Sequence, residues 1–194
     1  MHSRGLTGVT TRQISREVGC SEGALYVHFK GRLELFLAML EESLPDMLIP
    51  LQKLLESVGR GSPHRNLATA LQGILNFHRR VLPVTCGLFA EPELLDAYRQ
   101  SLARQRKGPH LSMAALAEYI VAEQKLGRIP SGVDPELAAY LLMSSSFFCA
   151  FMELFSGKPS ELSWAESVKR LIAAILPHGI RERKVGLIRR QKSS

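Results

Sequence analysis

The sequence predicts an all-α protein: a small N-terminal helix-turn-helix head followed by a larger helical bundle. Three observations predict this. Apolar residues recur at helical steps along most of the chain. Strand-like alternation is absent, and Val-, Thr- and Ile-rich runs are short. Clusters of Gly, Pro and Ser cut the chain into helix-length pieces. No internal repeat is present.

The elements follow in order. Thr10 to Val18 reads as a short helix, with Thr10 and Gln13 spaced as a capping box. Gly19-Cys20 breaks it, and Ser21 caps a second helix running to about Phe29, with Glu22 at the positive end of its dipole. A longer amphipathic stretch runs from Arg32 to about Ser57, interrupted or kinked at Pro45 and Pro50. Val58 to Pro63 is linker-like. Asn66 to Arg80 is the next helix, with Pro83, Gly87 and Pro92 as the breaks that follow. Glu93 to Lys107 ends at Gly108-Pro109, and His110 to Lys125 ends at Gly127. Asp134 caps a long helix that has Pro135 in its first position and reaches about Phe155. Ser160 to Leu176 is the last helix, stopped by Pro177 and Gly179.

The chain has 194 residues, 45% hydrophobic and 22% charged, enough for a substantial core without staples. Collagen-like, low-complexity and disordered classes are excluded. No stretch is expected to reach the roughly 18 apolar residues of a membrane span; the nearest, Leu137 to Met152, carries Ser144, Ser145 and Ser146 in its middle. The amino end lacks the apolar run of a secretory signal. Cys20, Cys86 and Cys149 are too scattered for a disulfide framework, which fits a cytoplasmic setting. The net charge of +7 comes mostly from residues 181–194, which hold six basic residues and one acidic. That tail reads as a solvated, frayed end or as a non-specific phosphate-binding arm. The organisation expected is a head at 1–40, a bundle at 41–180 and a basic tail at 181–194.

The informative segment is Thr10 to Arg32. Ile14, Val18 and Leu25 supply its inner apolar positions, Gly19 the sharp turn, and Ser15 the small contact between helices. The second helix starts without bulk (Ser21, Glu22, Gly23, Ala24), so its tip fits a major groove. Tyr26, His28 and Lys30 are placed to reach phosphates. The run from Gly8 to Arg32, above all Leu25-Tyr26-Val27-His28-Phe29, closely resembles the DNA-binding signature of the tetracycline-repressor (TetR) family. The resemblance implies a ligand-responsive transcriptional regulator, a bacterial repressor, bound as a homodimer to a palindromic double-stranded DNA operator. It implies that Thr11 and Tyr26 touch phosphates. Arg12, Glu22, Gly23 and Ala24 face the bases, and His28 and Arg32 position the backbone. Glu22 either accepts from a cytosine amino group or only stabilises its helix start. Further on, Gly127-Arg128 and the run from Val133 to Ala139 look like the start of that family's penultimate helix.

Two departures stand out. The family's head has a first helix before this run; here it is expected to be absent or reduced to its last turn, which uncovers one side of Ile14, Val18, Leu25 and Phe29. Gly31 and Leu33 replace a polar cap and an acidic residue. The alternative reading is therefore a helical ligand-binding or dimerisation protein whose truncated head does not bind DNA.

Leu137, Leu141, Ser144, Phe148, Phe151 and Phe155 form a helical seam, and Trp164, Val168, Leu171 and Ile175 repeat the rhythm. These are either a monomer's own core or, guided by the family, a four-helix dimer interface. A pocket for an unknown small-molecule effector is expected inside the bundle. Candidates are Phe77, His78, Leu88, Phe89, Tyr98, Met113, Tyr119, Met143, Phe147 and Cys149, each also readable as plain packing. No metal-binding spacing, cofactor motif or catalytic constellation stands out, and acidic residues are expected on helix surfaces. The expectation is a protein that is not an enzyme, carries no cofactor and has no membrane partner.

Overall fold

The computed structural model describes residues 32–106, 108–160 and 163–176. Every regular element among them is a helix. The two head helices expected at 10–18 and 21–29 lie outside the described residues.

The first described helix, α1 (Arg32–Ser43), runs almost directly into α2 (Pro45–Glu56). Leu44 between them keeps helical angles (φ −55°, ψ −39°). Its N–H still bonds Leu40 O at 3.0 Å, so Pro45 divides the stretch without a loop. Pro50 sits inside α2 and has no N–H to give to Asp46 O. There α3 crosses at its closest: a Cβ on Gly73 would collide with the Pro50 ring and lie 2.9 Å from Asp46 O. Neither neighbour is the flexible end of a side chain. Gly73→Ala gains about 1 kcal/mol of helix propensity but overpacks the crossing by about 3 kcal/mol. A net loss of about 2 kcal/mol in urea unfolding is expected, with the helical spectrum unchanged; a stabilised variant would refute the close crossing.

The central helix α3 (Pro63–Phe89) is longer than its breakers suggest. Ser62 is extended and Pro63 takes the first helical position, so the helix begins before Asn66. It also continues through Pro83, against the expected break after Arg80. Val81, Leu82, Gly87 and Leu88 are buried on either side of that proline, and such burial outweighs the single hydrogen bond lost.

Helices α4 (Pro92–Gln105), α5 (Pro109–Lys125), α6 (Pro135–Ser156) and α7 (Trp164–Ile175) complete the bundle. Asp134 caps α6 as expected, accepting from the N–H groups of Glu136 at 2.9 Å and Leu137 at 3.0 Å. Gly157, at φ +67°, closes it in the left-handed region. The last helix starts later than expected, at Trp164. By length and composition α6 is apolar enough to cross a membrane. This corrects the expectation that no stretch qualifies: the serines are outweighed by the aromatic and aliphatic residues around them.

Helices α1, α2, α4, α6 and α7 pack on α3, while α5 packs chiefly on α2 and α6 and reaches α3 through the Asn66–Tyr119 hydrogen bond. The core joins Met47, Leu51 and Leu54 of α2 to Leu67, Leu71 and Ile74 of α3. Leu116 and Ile120 of α5, Leu142 of α6, and Val168 and Ile172 of α7 fill the rest. The last helix therefore buries Val168, Ile172 and the following Leu176, leaving Trp164, Leu171 and Ile175 half-buried.

Candidate functional site

Four of the expected effector contacts come together where α3 meets α6. His78 is 9% exposed. Its Nδ1 lies 3.1 Å from Ser146 Oγ, and that hydroxyl donates to Met143 O at 2.8 Å. Two phenyl rings flank the imidazole: Phe77 with centroids 5.7 Å apart, and Phe147 edge-on at 5.5 Å. Phe77, His78 and Phe147 thus belong to one cluster, to which Met143 contributes its backbone carbonyl. Ser146 is the member that sequence reasoning missed. Its signal was present: it stands one turn from Leu142 and one from Ala150 on the inward face of α6.

Burial pushes His78 down to about 4 from an ordinary 6.5. The folded chain holds this ring neutral, while the unfolded chain protonates it below about 6.5. Stability is therefore undiminished above pH 6.5, falls as the pH drops toward 4, and levels off below that. The gap corresponds to about 3 kcal/mol. His78→Phe removes this acid-sensitive component, measured as the pH dependence of the urea midpoint. An unchanged pH profile in the variant would assign the effect elsewhere.

The other candidates lie apart. Tyr98 of α4 meets Phe36 of α1 edge-to-face, centroids 4.9 Å apart, and its burial raises the phenol's pKa. Tyr119 is fully buried and accepts from Asn66 Nδ2 at 3.0 Å; desolvation pushes its hydroxyl up to about 12. Phe89, the last residue of α3, is 61% exposed: the helix turns its Leu88 side inward and the phenyl to solvent. Met113 of α5 is half-buried beside Ser112, whose hydroxyl lies 3.2 Å from Met47 Sδ. Leu88 is buried, and Cys149 Sγ lies 3.8 Å from Glu153 Oε1. A shallow indentation between α1 and α3, lined by Phe36, Met39, Leu40, Ser43, Arg80, Val81 and Val84, includes none of the expected contacts.

Acidic residues do not all lie on helix surfaces. Glu123 is 0% exposed. Its Oε1 accepts from Gly59 N at 3.1 Å, and its Oε2 lies 2.9 Å from Arg128 Nε. Glu153 is also largely covered, held by Arg79 through two 2.7 Å hydrogen bonds. That pairing keeps its carboxyl below the usual range. Among the described residues no group of His, Cys, Asp and Glu side chains converges to hold a metal ion.

The α6 seam points outward. Leu137, Leu141, Phe148, Phe151 and Phe155 are exposed, and Ser144 is half-buried. The chain's own core instead takes Ala138, Ala139, Leu142, Ser146 and Ala150. The monomer-core reading of the seam is therefore excluded. Phe148, Phe151 and Phe155 stack along the helix, with centroids 6.3 and 6.1 Å apart.

Residues 1–39 match the family described as bacterial regulatory proteins, tetR family. The fold agrees over nearly the whole chain. A Clostridium perfringens protein titled a candidate fatty acid metabolism regulator superposes with a TM-score of 0.58 at 17% identity, covering 90% of each chain. A protein from Mesorhizobium loti MAFF303099, titled a candidate TetR-family transcriptional regulator, gives 0.58 at 20% identity, over 89% of this chain and 85% of that one. The family match covers 39 of the 194 residues, and over the rest the chain shares the fold alone with these two proteins. No curated protein sequence matches it. The expected DNA contacts Thr11, Arg12, Glu22, Gly23, Ala24, Tyr26, His28 and Lys30 lie outside the described residues, as does the side chain of Arg32. The backbone of Arg32 opens α1, so α1 leads from the matched segment into the bundle.

Proposed function

We propose that the chain is a repressor that grips a palindromic operator as a homodimer and is released by a small apolar effector. The observation that carries the reading is the outward-facing apolar stripe of α6. Large contiguous apolar patches rarely stay open on a soluble monomer. A second copy related by a two-fold axis presents the same stripe and covers it. This also favours a protein partner over a lipid one, because the inner side of α6 is already packed on α3 and α5.

Two-fold pairing sets two heads on one face of the DNA. Thr11 and Tyr26 take phosphates, while Arg12, Glu22, Gly23 and Ala24 lie at base edges. His28, Lys30 and Arg32 hold the backbone. On this reading residues 1–40 act as the head, 41–180 as the effector and dimer domain, and 181–194 as a basic tail, in a bacterial cytoplasm. An effector that binds better to one spacing of the heads shifts the population between gripping and released forms. The test is a band-shift titration of the full chain against the DNA upstream of its own gene. A specific, salt-sensitive complex of two chains per site is expected. Equal affinity for unrelated DNA would overturn the reading.

A further inference from the structure

The buried imidazole on α3 has chemistry that narrows the effector. We infer that the effector site centres on Nε2 of His78, and that it takes an uncharged, largely apolar molecule donating one hydrogen bond, an alcohol or phenol, over a carboxylate of the same shape. This rests on the ligand-released reading above.

The proton positions follow from the hydrogen-bond chain. Ser146 gives its single proton to Met143 O at 2.8 Å. What it offers His78 Nδ1 at 3.1 Å is a lone pair. On this pattern we assign the proton of that contact to Nδ1. Burial keeps the ring neutral, so Nε2 carries a bare lone pair. Among the described residues no group donates to it. Nε2 is not among the side-chain atoms sealed from solvent without a partner, so a donor can still reach it. Phe77 and Phe147 flank the ring at 5.7 and 5.5 Å and supply apolar walls. Phe147 is half open to solvent, so the way in runs past it.

Charge selects in the same direction. The cations next to His78 in sequence are both engaged: Arg79 with Glu153 at 2.7 Å, and Arg80 with Asp46 at 2.8 Å. An anion placed against His78 would meet a lone pair and find no unspent counter-charge, and burying it would be strongly unfavourable.

The test titrates the full chain calorimetrically with 4-propylphenol, 4-propylanisole and 4-propylbenzoate. The three share size and ring and differ in donor and charge. The phenol is expected to bind about tenfold or more tighter than the ether, the equivalent of one hydrogen bond, and the benzoate not measurably. His78→Phe makes phenol and ether equal, because the acceptor is lost and the apolar walls remain. Ser146→Ala lowers the preference by freeing the Nδ1 proton. An ether matching the phenol, a benzoate binding as tightly, or a phenol that does not bind overturns the inference, whatever the variants do. Operator binding is measured in parallel. Phenol binding that leaves the band shift unchanged removes the ligand-released reading but leaves the site standing. Failure of the phenol while the operator is still gripped removes the site alone.

Discussion

Arg128→Leu is expected to lower the unfolding free energy by about 3 kcal/mol. Glu123 is completely buried, and among the described residues the Arg128 guanidinium is its one counter-charge, Nε 2.9 Å from Oε2. The same guanidinium donates to Arg60 O at 3.1 Å and Gly61 O at 2.8 Å. Asn66 reaches both Arg60 O at 2.9 Å and Tyr119 OH at 3.0 Å. One arginine thus ties the turn after α2 to the end of α5, and its removal strands a dry carboxylate together with two loop carbonyls. Glu123→Gln is expected to be milder, because an amide oxygen still accepts from Gly59 N, now at 3.1 Å from Oε1. The loss is expected to be nearly insensitive to salt, since the buried carboxylate is poorly screened. Urea unfolding at low and high salt checks this. A loss below about 1 kcal/mol for Arg128→Leu would place the pair among weak surface bridges.

Local signals were legible in the sequence where a single residue decides them. Asp134 and Pro135 mark the start of α6 because a cap and a pre-set φ act without help from the rest of the chain. Gly127 and Gly157 mark ends for the same reason, both at positive φ. Pro83 misled because its penalty is local while the burial that overrides it, at Val81, Leu82 and Leu88, is supplied by other helices. The direction of the α6 seam had the same origin. Periodicity gives a face but not what lies opposite it, and only the packing of Ala138, Leu142 and Ala150 on α3 and α5 turns the aromatic face outward. In the candidate site, Phe77, His78, Met143 and Phe147 were legible as apolar and amphipathic residues on two facing helices. Ser146 was not, because a serine in an apolar run reads as a break in hydrophobicity until the imidazole 3.1 Å away is known. Glu123 escaped for a related reason. A carboxylate enters a core only with its partners, and Gly59 and Arg128 come from distant turns.

If the chain pairs through α6 as proposed, Phe148→Glu combined with Phe151→Glu is expected to yield a folded monomer and to weaken operator binding at least about a hundredfold. Both rings lie outside the chain's own core, at 61% and 38% exposure. The helical content and the urea midpoint of the monomer are therefore expected to stay close to the parent's. In a two-fold interface each substitution occurs twice, so two changes place four carboxylates against an apolar stripe. Each lost ring forgoes roughly 1.5–3 kcal/mol of burial, and each carboxylate adds a desolvation penalty. The sum exceeds what a dimer of ordinary affinity can absorb. Operator binding falls with it, because a single head loses the effective concentration that its tethered twin supplies. Sedimentation velocity and a band shift on the same samples separate the two effects. A monomer that still grips the operator at parental affinity would show that one head suffices and would end the palindrome argument. A variant that stays dimeric would move the interface away from the Phe148–Phe155 ladder altogether.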